Sequence, residues 1–194
     1  MTFKKTDILT VAGRRHVGKT SWIEWLLHKT GWKNYVIFDP NDEYDLFSNR
    51  YVPNGESMEE FNAFMKRIWE AQAHVTKATV NDQNSLMVII DEAEEYMPDG
   101  WPKTDNYAAK IVRRGAHRGI GLCACTRAIA ELNKNIIRQS NHLVLFSHQG
   151  EMNDLKYLSA LIGSENALKV AELEDHWWLL KSGGKCEIYE PVSL

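Results

Sequence analysis

The sequence predicts an α/β fold whose mostly parallel sheet is covered by helices on both faces. Three observations carry the prediction. Five short runs are almost continuously apolar, the pattern of strands buried on both faces. Segments with helical spacing separate those runs, so strand and helix alternate rather than falling into blocks. Two runs end in turns of marked character, "AGRRHVGKTS" and "DEAEE", and ligands of such a sheet gather at the carboxyl ends of its strands.

The elements follow in order. Residues 7–12 form a first strand, and a helix over 20–29 turns Trp22, Ile23, Leu26 and Leu27 inward. A second strand, 35–39, stops at Pro40, which cannot continue a central ladder. Residues 44–55 read as a loop with turn residues. Ser57 and Glu60 make a capping box for a long helix. Phe61, Phe64, Met65 and Ile68 share one face of it, with Lys66, Arg67 and Glu70 mostly on the other. A third strand covers 85–91, a helix 105–114 and a fourth strand 120–126. A helix over 129–139, a fifth strand over 142–147 and helices near 151–162 and 165–173 follow. The tail reads as a β-hairpin, 177–181 and 185–190, around Gly183-Gly184.

Composition bounds the function. A chain of 194 residues suits one domain, 1–194, with a full core. The net charge of −3 supplies no global basic field, so a nucleic-acid partner would have to be met by local basic residues. Cys123, Cys125 and Cys186 form no disulfide framework, and the first two read as small hydrophobes inside a strand. That usage fits a reducing, intracellular setting. The chain shows no signal peptide, and no apolar run is long enough to span a membrane.

The chemistry sits at two stations. Gly13, Gly18, Lys19 and Thr20 complete G-x-x-x-x-G-K-[ST] between a predicted strand and a predicted helix. Backbone N–H groups of such a loop wrap nucleotide phosphates, and the helix dipole favours the negative charge there. The expected ATP-binding stretch is Gly13, Arg14, Arg15, His16, Val17, Gly18, Lys19, Thr20 and Ser21. Lys19 reaches the β and γ phosphates, and the Thr20 hydroxyl binds Mg²⁺. The second station is "LMVIIDEAEEYMP". Asp91 ends a strand and is placed to hold the Mg²⁺ complex. Glu92, next in the chain, is placed to orient and deprotonate a water. An acidic doublet of that kind argues for hydrolysis over phosphoryl transfer to a small molecule.

The segment 113–158 resembles the FtsK–HerA superfamily of ATP-driven DNA pumps. The resemblance is carried by His117-Arg118-Gly119-Ile120, by Thr126-Arg127 at the end of the fourth strand, by Glu131-Leu132 through Arg138, and by Asn141-His142-Leu143. The segment 38–44 is similar to the family's "D-P-x-x-E-Y", and "WWLLKSGGKCEIYEP" to its closing hairpin. The resemblance implies a P-loop NTPase fold of the additional-strand, catalytic-glutamate type, with sheet order 5-1-4-3-2. It also implies a homo-oligomeric ring, pentamer or hexamer, around double-stranded DNA, with ATP between subunits and an arginine supplied in trans. Where the family ends its fourth strand in glutamine this chain has Arg127, which stands as a γ-phosphate sensor. The arginine expected three residues before Gly119 is Ala116, so Arg118 and Arg114, ahead of Arg113, are the candidates for the trans role.

Length and the family analogy together favour the genome-packaging ATPases of membrane-containing icosahedral DNA viruses. They imply a setting in the host cytoplasm or on the virion, with a viral capsid or a portal or membrane protein as a further partner. Transport ATPases for DNA transfer, secretion or filamentous-phage assembly, a small-molecule kinase and a nucleotide-dependent clamp are the alternatives. Candidate DNA contacts are Trp101 and Lys103, Arg50, and Lys66, Arg67, His74 and Lys77 on the long helix. Trp177-Trp178 is expected to pack the hairpin on the sheet.

Overall fold

The computed structural model describes residues 2–55, 57–101, 106–149 and 151–193. The chain begins with β1 (Ile8–Ala12), α1 (Lys19–Thr30), β2 (Tyr35–Phe38), β3 (Arg50–Tyr51) and α2 (Met58–Ala71). Next come β4 (Leu86–Ile90), α3 (Ala93–Tyr96), α4 (Tyr107–Arg114), a 3₁₀ turn (Gly115–Arg118) and β5 (Ile120–Thr126). Then α5 (Lys134–Gln139), β6 (His142–Leu145), α6 (Met152–Ile162) and α7 (Ser164–Glu172) lead to β7 (Trp178–Ser182) and β8 (Lys185–Tyr189).

The strands form one sheet in the order β3-β2-β4-β5-β1-β6-β7-β8. Its middle, β6-β1-β5-β4-β2, is all parallel and is the expected 5-1-4-3-2 arrangement. Beyond that prediction, β3 adds a parallel strand at one edge, and the antiparallel β7–β8 hairpin extends the other. Register keeps the carboxyl ends level: Ala12 lies beside Thr126 and Leu145, and Ile90 beside Phe38 and Ala124. The turns after β1, β2, β4 and β5 therefore leave the sheet at one rim.

Burial on both faces explains the unbroken apolar runs. Val88 and Ile90 enter one core with Phe38, Phe61, Phe64 and Met65. Met87 and Ile89 enter the other with Val11, Cys123 and Cys125, against Trp22, Ile23 and Leu26 of α1. Trp178 stacks on Tyr189 with centroids 4.6 Å apart and meets Trp22 of α1 edge-on at 5.6 Å, so it fastens the hairpin to that helix, whereas half-buried Trp177 lies outside both cores, near Leu173 and Ile188. Each such fully buried large side chain contributes about 2–3 kcal/mol.

Three local expectations are corrected. The 44–55 loop contains β3, because the Arg50 guanidinium pairs with buried Asp39 (3.0 Å) and with Asp42, drawing the segment beside β2. Only 134–139 of the predicted 129–139 helix is helical. The Ile129 and Ala130 amides instead donate to buried Asp154, at 3.2 and 2.9 Å, and Asn133 caps α5. The capping box of α2 is half made: Ser57 Oγ accepts from the Glu60 amide, but the Glu60 carboxylate accepts from Tyr51 Oη (2.6 Å) and the Asn54 amide. Lys103 and the expected helix start at Asp105 lie outside the described residues, and α4 is capped by Asn106.

Candidate functional site

The level strand ends enclose a cavity of about 540 Å³ at the rim. Arg15, His16, Gly18, Lys19, Thr20 and Ser21 form one wall, and Asp91, Glu92 and Arg127 face them. Gly13, Arg14 and Val17 complete the loop behind that wall: Gly13 and Val17 are buried, and Arg14 reaches Asp175 at 2.8 Å. The loop needs its glycines. A Cβ on Gly13 would stand 2.6 Å from Phe146 Cβ, and Gly18 has φ +101°. Gly18 caps α1 without a side chain, so no side chain satisfies the first-turn N–H groups from within the cap.

Lys19 Nζ donates to the carbonyls of Gly13 (2.8 Å) and Arg14 (2.9 Å). Burial lowers the Lys19 pKa, opposed by the Asp91, Glu92 and Glu94 carboxylates. Asp91 is pushed up to about 7, chiefly by burial and then by the Glu92 and Glu43 carboxylates. A carboxylate in that setting is short of a cation. Thr20 Oγ1 lies 3.3 Å from Glu43 Oε2 on the same wall. Hydroxyl and carboxylate oxygens are the donors Mg²⁺ takes, and it draws its remaining ligands from phosphate and water. Among the described residues no group of three or more His, Cys, Asp or Glu could hold a metal unaided. The wall thus fits a cation that arrives with a polyphosphate.

Glu92 adopts φ +48°, a left-handed conformation that is costly for a residue with a Cβ. Its Oε1 accepts from Asn41 Nδ2 (3.1 Å), and its Oε2 lies 2.6 Å from Arg127 Nε. Arg127 also meets Glu94 (3.4 Å) and Glu95 (2.7 Å). Burial raises the Glu92 pKa, with Glu94 adding to the rise and Arg127 and Lys19 opposing it.

The other arginines stand elsewhere. Arg118 stacks on the Trp69 ring at 4.0 Å and donates to the Trp69 carbonyl. Arg113 and Arg114 end α4 and are exposed. All three precede β5, whose seven residues put them roughly 20 Å from the cavity rim. No member of this group reaches the phosphate loop of its own chain. Of the candidate DNA contacts, Arg50 is occupied by Asp39 and Asp42, and Trp101 packs against the core with its indole N–H toward the Tyr96 carbonyl. Lys66 lies 3.9 Å from Glu70.

The sequence reading missed Asn41, Glu43 and His176 as cavity residues. The first two lie in the "D-P-x-x-E-Y"-like segment, which was the available signal. His176 lies across the loop: its amide donates to the Val17 carbonyl, and a Cβ on Gly18 would meet its Nδ1 at 2.7 Å. Nothing local in the sequence signals that approach.

No protein-family model matches the chain, and no curated protein sequence does. Solved structures do. The genome-packaging NTPase B204 of Sulfolobus turreted icosahedral virus 2 in complex with AMPPCP aligns over 98% of this chain and 100% of its own, at TM-score 0.80 and 21% identity. The pCW3 conjugation coupling protein TcpA with ATPγS aligns at TM-score 0.62 and 17% identity, over 96% of this chain and 60% of its own. EssC (ATPases 2 and 3) of Geobacillus thermodenitrificans aligns at TM-score 0.60 and 17% identity, over 96% and 40%. The chain has the P-loop fold of these ATPases. It is the fold that the FtsK–HerA resemblance implied. Among the described residues no helix is long and apolar enough to cross a membrane.

Proposed function

We propose that the chain is an ATPase that moves double-stranded DNA, working with Mg²⁺ as a subunit of a homo-oligomeric ring, and that its task is viral genome packaging. One observation carries the reading: Lys19 and Thr20 face Asp91, Glu92 and Arg127 across a single cavity at the carboxyl ends of parallel strands. The loop from Gly13 to Ser21 binds the phosphates of ATP, with Lys19 as the compensating charge. Mg²⁺, held by Thr20 and Asp91, supplies charge neutralisation on the phosphate oxygens. Glu92 orients a water and takes its proton. Arg127 lies where it can also sense the γ-phosphate, and Arg118 or Arg114 serves the site of a neighbouring subunit.

The packaging role is supported by likeness of fold: the packaging NTPase aligns at TM-score 0.80, TcpA and EssC at 0.62 and 0.60. A task inside the cell suits thiols that stand free, with Cys123 and Cys125 buried in β5. The test is ATP turnover measured alone, with duplex DNA and with single-stranded DNA. Stimulation by duplex is expected. Turnover indifferent to DNA would remove the translocase reading, and ADP formed only with a small acceptor would make the protein a kinase.

A further inference from the structure

We infer that His176 is a nucleotide-binding residue whose imidazole meets the nucleoside end of ATP, away from the hydrolytic groups. The inference rests on reading the cavity as a nucleotide site and adds to it a residue that no motif marks.

The turn that carries His176 is fastened to the phosphate loop at several points. The His176 amide donates to the Val17 carbonyl at 3.1 Å. Asp175 pairs with Arg14 at 2.8 Å. A Cβ on Gly18 would meet His176 Nδ1 at 2.7 Å, so the bare glycine lets the ring lie against the loop. Two residues on, Trp178 is buried against Trp22 of α1, the helix that the loop opens. The turn before β7 and the start of α1 are thereby held together. His176 itself adopts φ +71°, a left-handed backbone that such over-determined surroundings sustain. Strain of that kind gathers at ligand sites.

Strand order gives the ring its direction. Asp91 and Glu92 follow β4 and Arg127 follows β5, all on one side of β1. His176 precedes β7, on the other side, with β6 between. Antiparallel pairing of Leu145 with Leu179 brings the start of β7 to the same rim as the end of β6. A triphosphate laid along the loop with its γ-phosphate toward Glu92 carries its nucleoside toward β6 and β7. His176 lines the cavity on that side. An imidazole offers nitrogens that hydrogen-bond ribose hydroxyls and a flat face on which a purine can stack.

The test reads binding, not turnover. Mg·ATP and Mg·tripolyphosphate, which has the phosphates without the nucleoside, are titrated separately by calorimetry. His176→Gly suits the left-handed backbone, so the fold tolerates loss of the ring. The variant should bind ATP about tenfold more weakly and tripolyphosphate within about twofold of the wild type, so the preference for ATP shrinks. A preference that does not shrink would overturn the inference, whether both affinities hold or both fall together. A wild type that binds ATP without hydrolysing it would sink the ATPase reading and leave the inference standing. One that binds no nucleotide would sink both.

Discussion

Arg127 and Arg118 are only nine positions apart in the chain, yet their surroundings are opposite. Arg127 sits in the nucleotide cavity with Glu92, Glu94 and Glu95 around it. Arg118 lies at the far end of β5, flat on Trp69 and clear of any carboxylate ion pair among the described residues. The cavity is assembled from one chain: loop, acidic doublet and their braces all come from it. At the other end Arg118 donates to the Trp69 carbonyl and Arg113 to the Ala109 carbonyl, and among the described residues neither meets a carboxylate. Under the proposed function the contrast divides the work: the hydrolytic groups meet within one chain, whereas charge compensation by Arg118 or Arg114 would need a second copy.

The largest expected effect tests that division. An arginine acting in trans is worth about 10³–10⁵ in rate. Arg118→Ala should therefore lose most turnover alone and regain a measurable part when mixed with Lys19→Ala subunits, since each supplies what the other lacks. Arg127→Ala should regain nothing in the same mixture, because its partners are in its own chain. Failure of every Arg118→Ala mixture to recover would pass the role to Arg114 or Arg113, tested in the same way.

A smaller effect tests how tightly the loop side of the cavity is built. His148 follows β6 directly behind the phosphate loop, fully buried, with Nδ1 2.7 Å from the Phe146 carbonyl. Its Nε2 is 3.7 Å from Asp154 Oδ2, too far for a hydrogen bond. Burial lowers its pKa from 6.5 to about 4; Lys19 adds to that, and the Phe146 carbonyl and Glu151 oppose it. Between those values the unfolded chain binds the proton and the folded chain refuses it. The stability contributed by neutral His148 is therefore full above pH 6.5 and is lost as the pH drops toward 4, by about 3 kcal/mol in all, while the raised Asp91 acts with the opposite sign over the same range. His148→Gln should flatten that fall in melting curves taken from pH 7 to 4. The difference between the two proteins isolates the imidazole from Asp154, whose pKa is raised by its own burial. Curves that stay parallel would show that the ring is not held neutral.

The division also explains what the sequence disclosed. Strands β1, β2, β4, β5 and β6 are legible because burial on both faces forces unbroken apolar runs. The phosphate loop and the Asp91–Glu92 doublet are legible because their chemistry needs fixed spacing along the chain. What stayed hidden is set by distant partners. The two-residue β3 exists through the Arg50–Asp39 pair, the turn at 129–133 through Asp154, and the roof over Gly18 through His176. Asn41 lay inside a segment already noticed, but its place at the cavity depends on a contact 51 residues away.

The central claim is that the turn around Lys19 holds Mg·ATP while Glu92 manages the attacking water. Its most direct test is nucleotide binding and hydrolysis measured side by side on the wild type and Glu92→Gln. The account predicts that the variant binds Mg·ATP as tightly as the wild type and loses about 10²–10⁴ of the hydrolysis rate, with and without duplex DNA. Hydrolysis undiminished in Glu92→Gln, or a wild type that does not bind Mg·ATP, would contradict it.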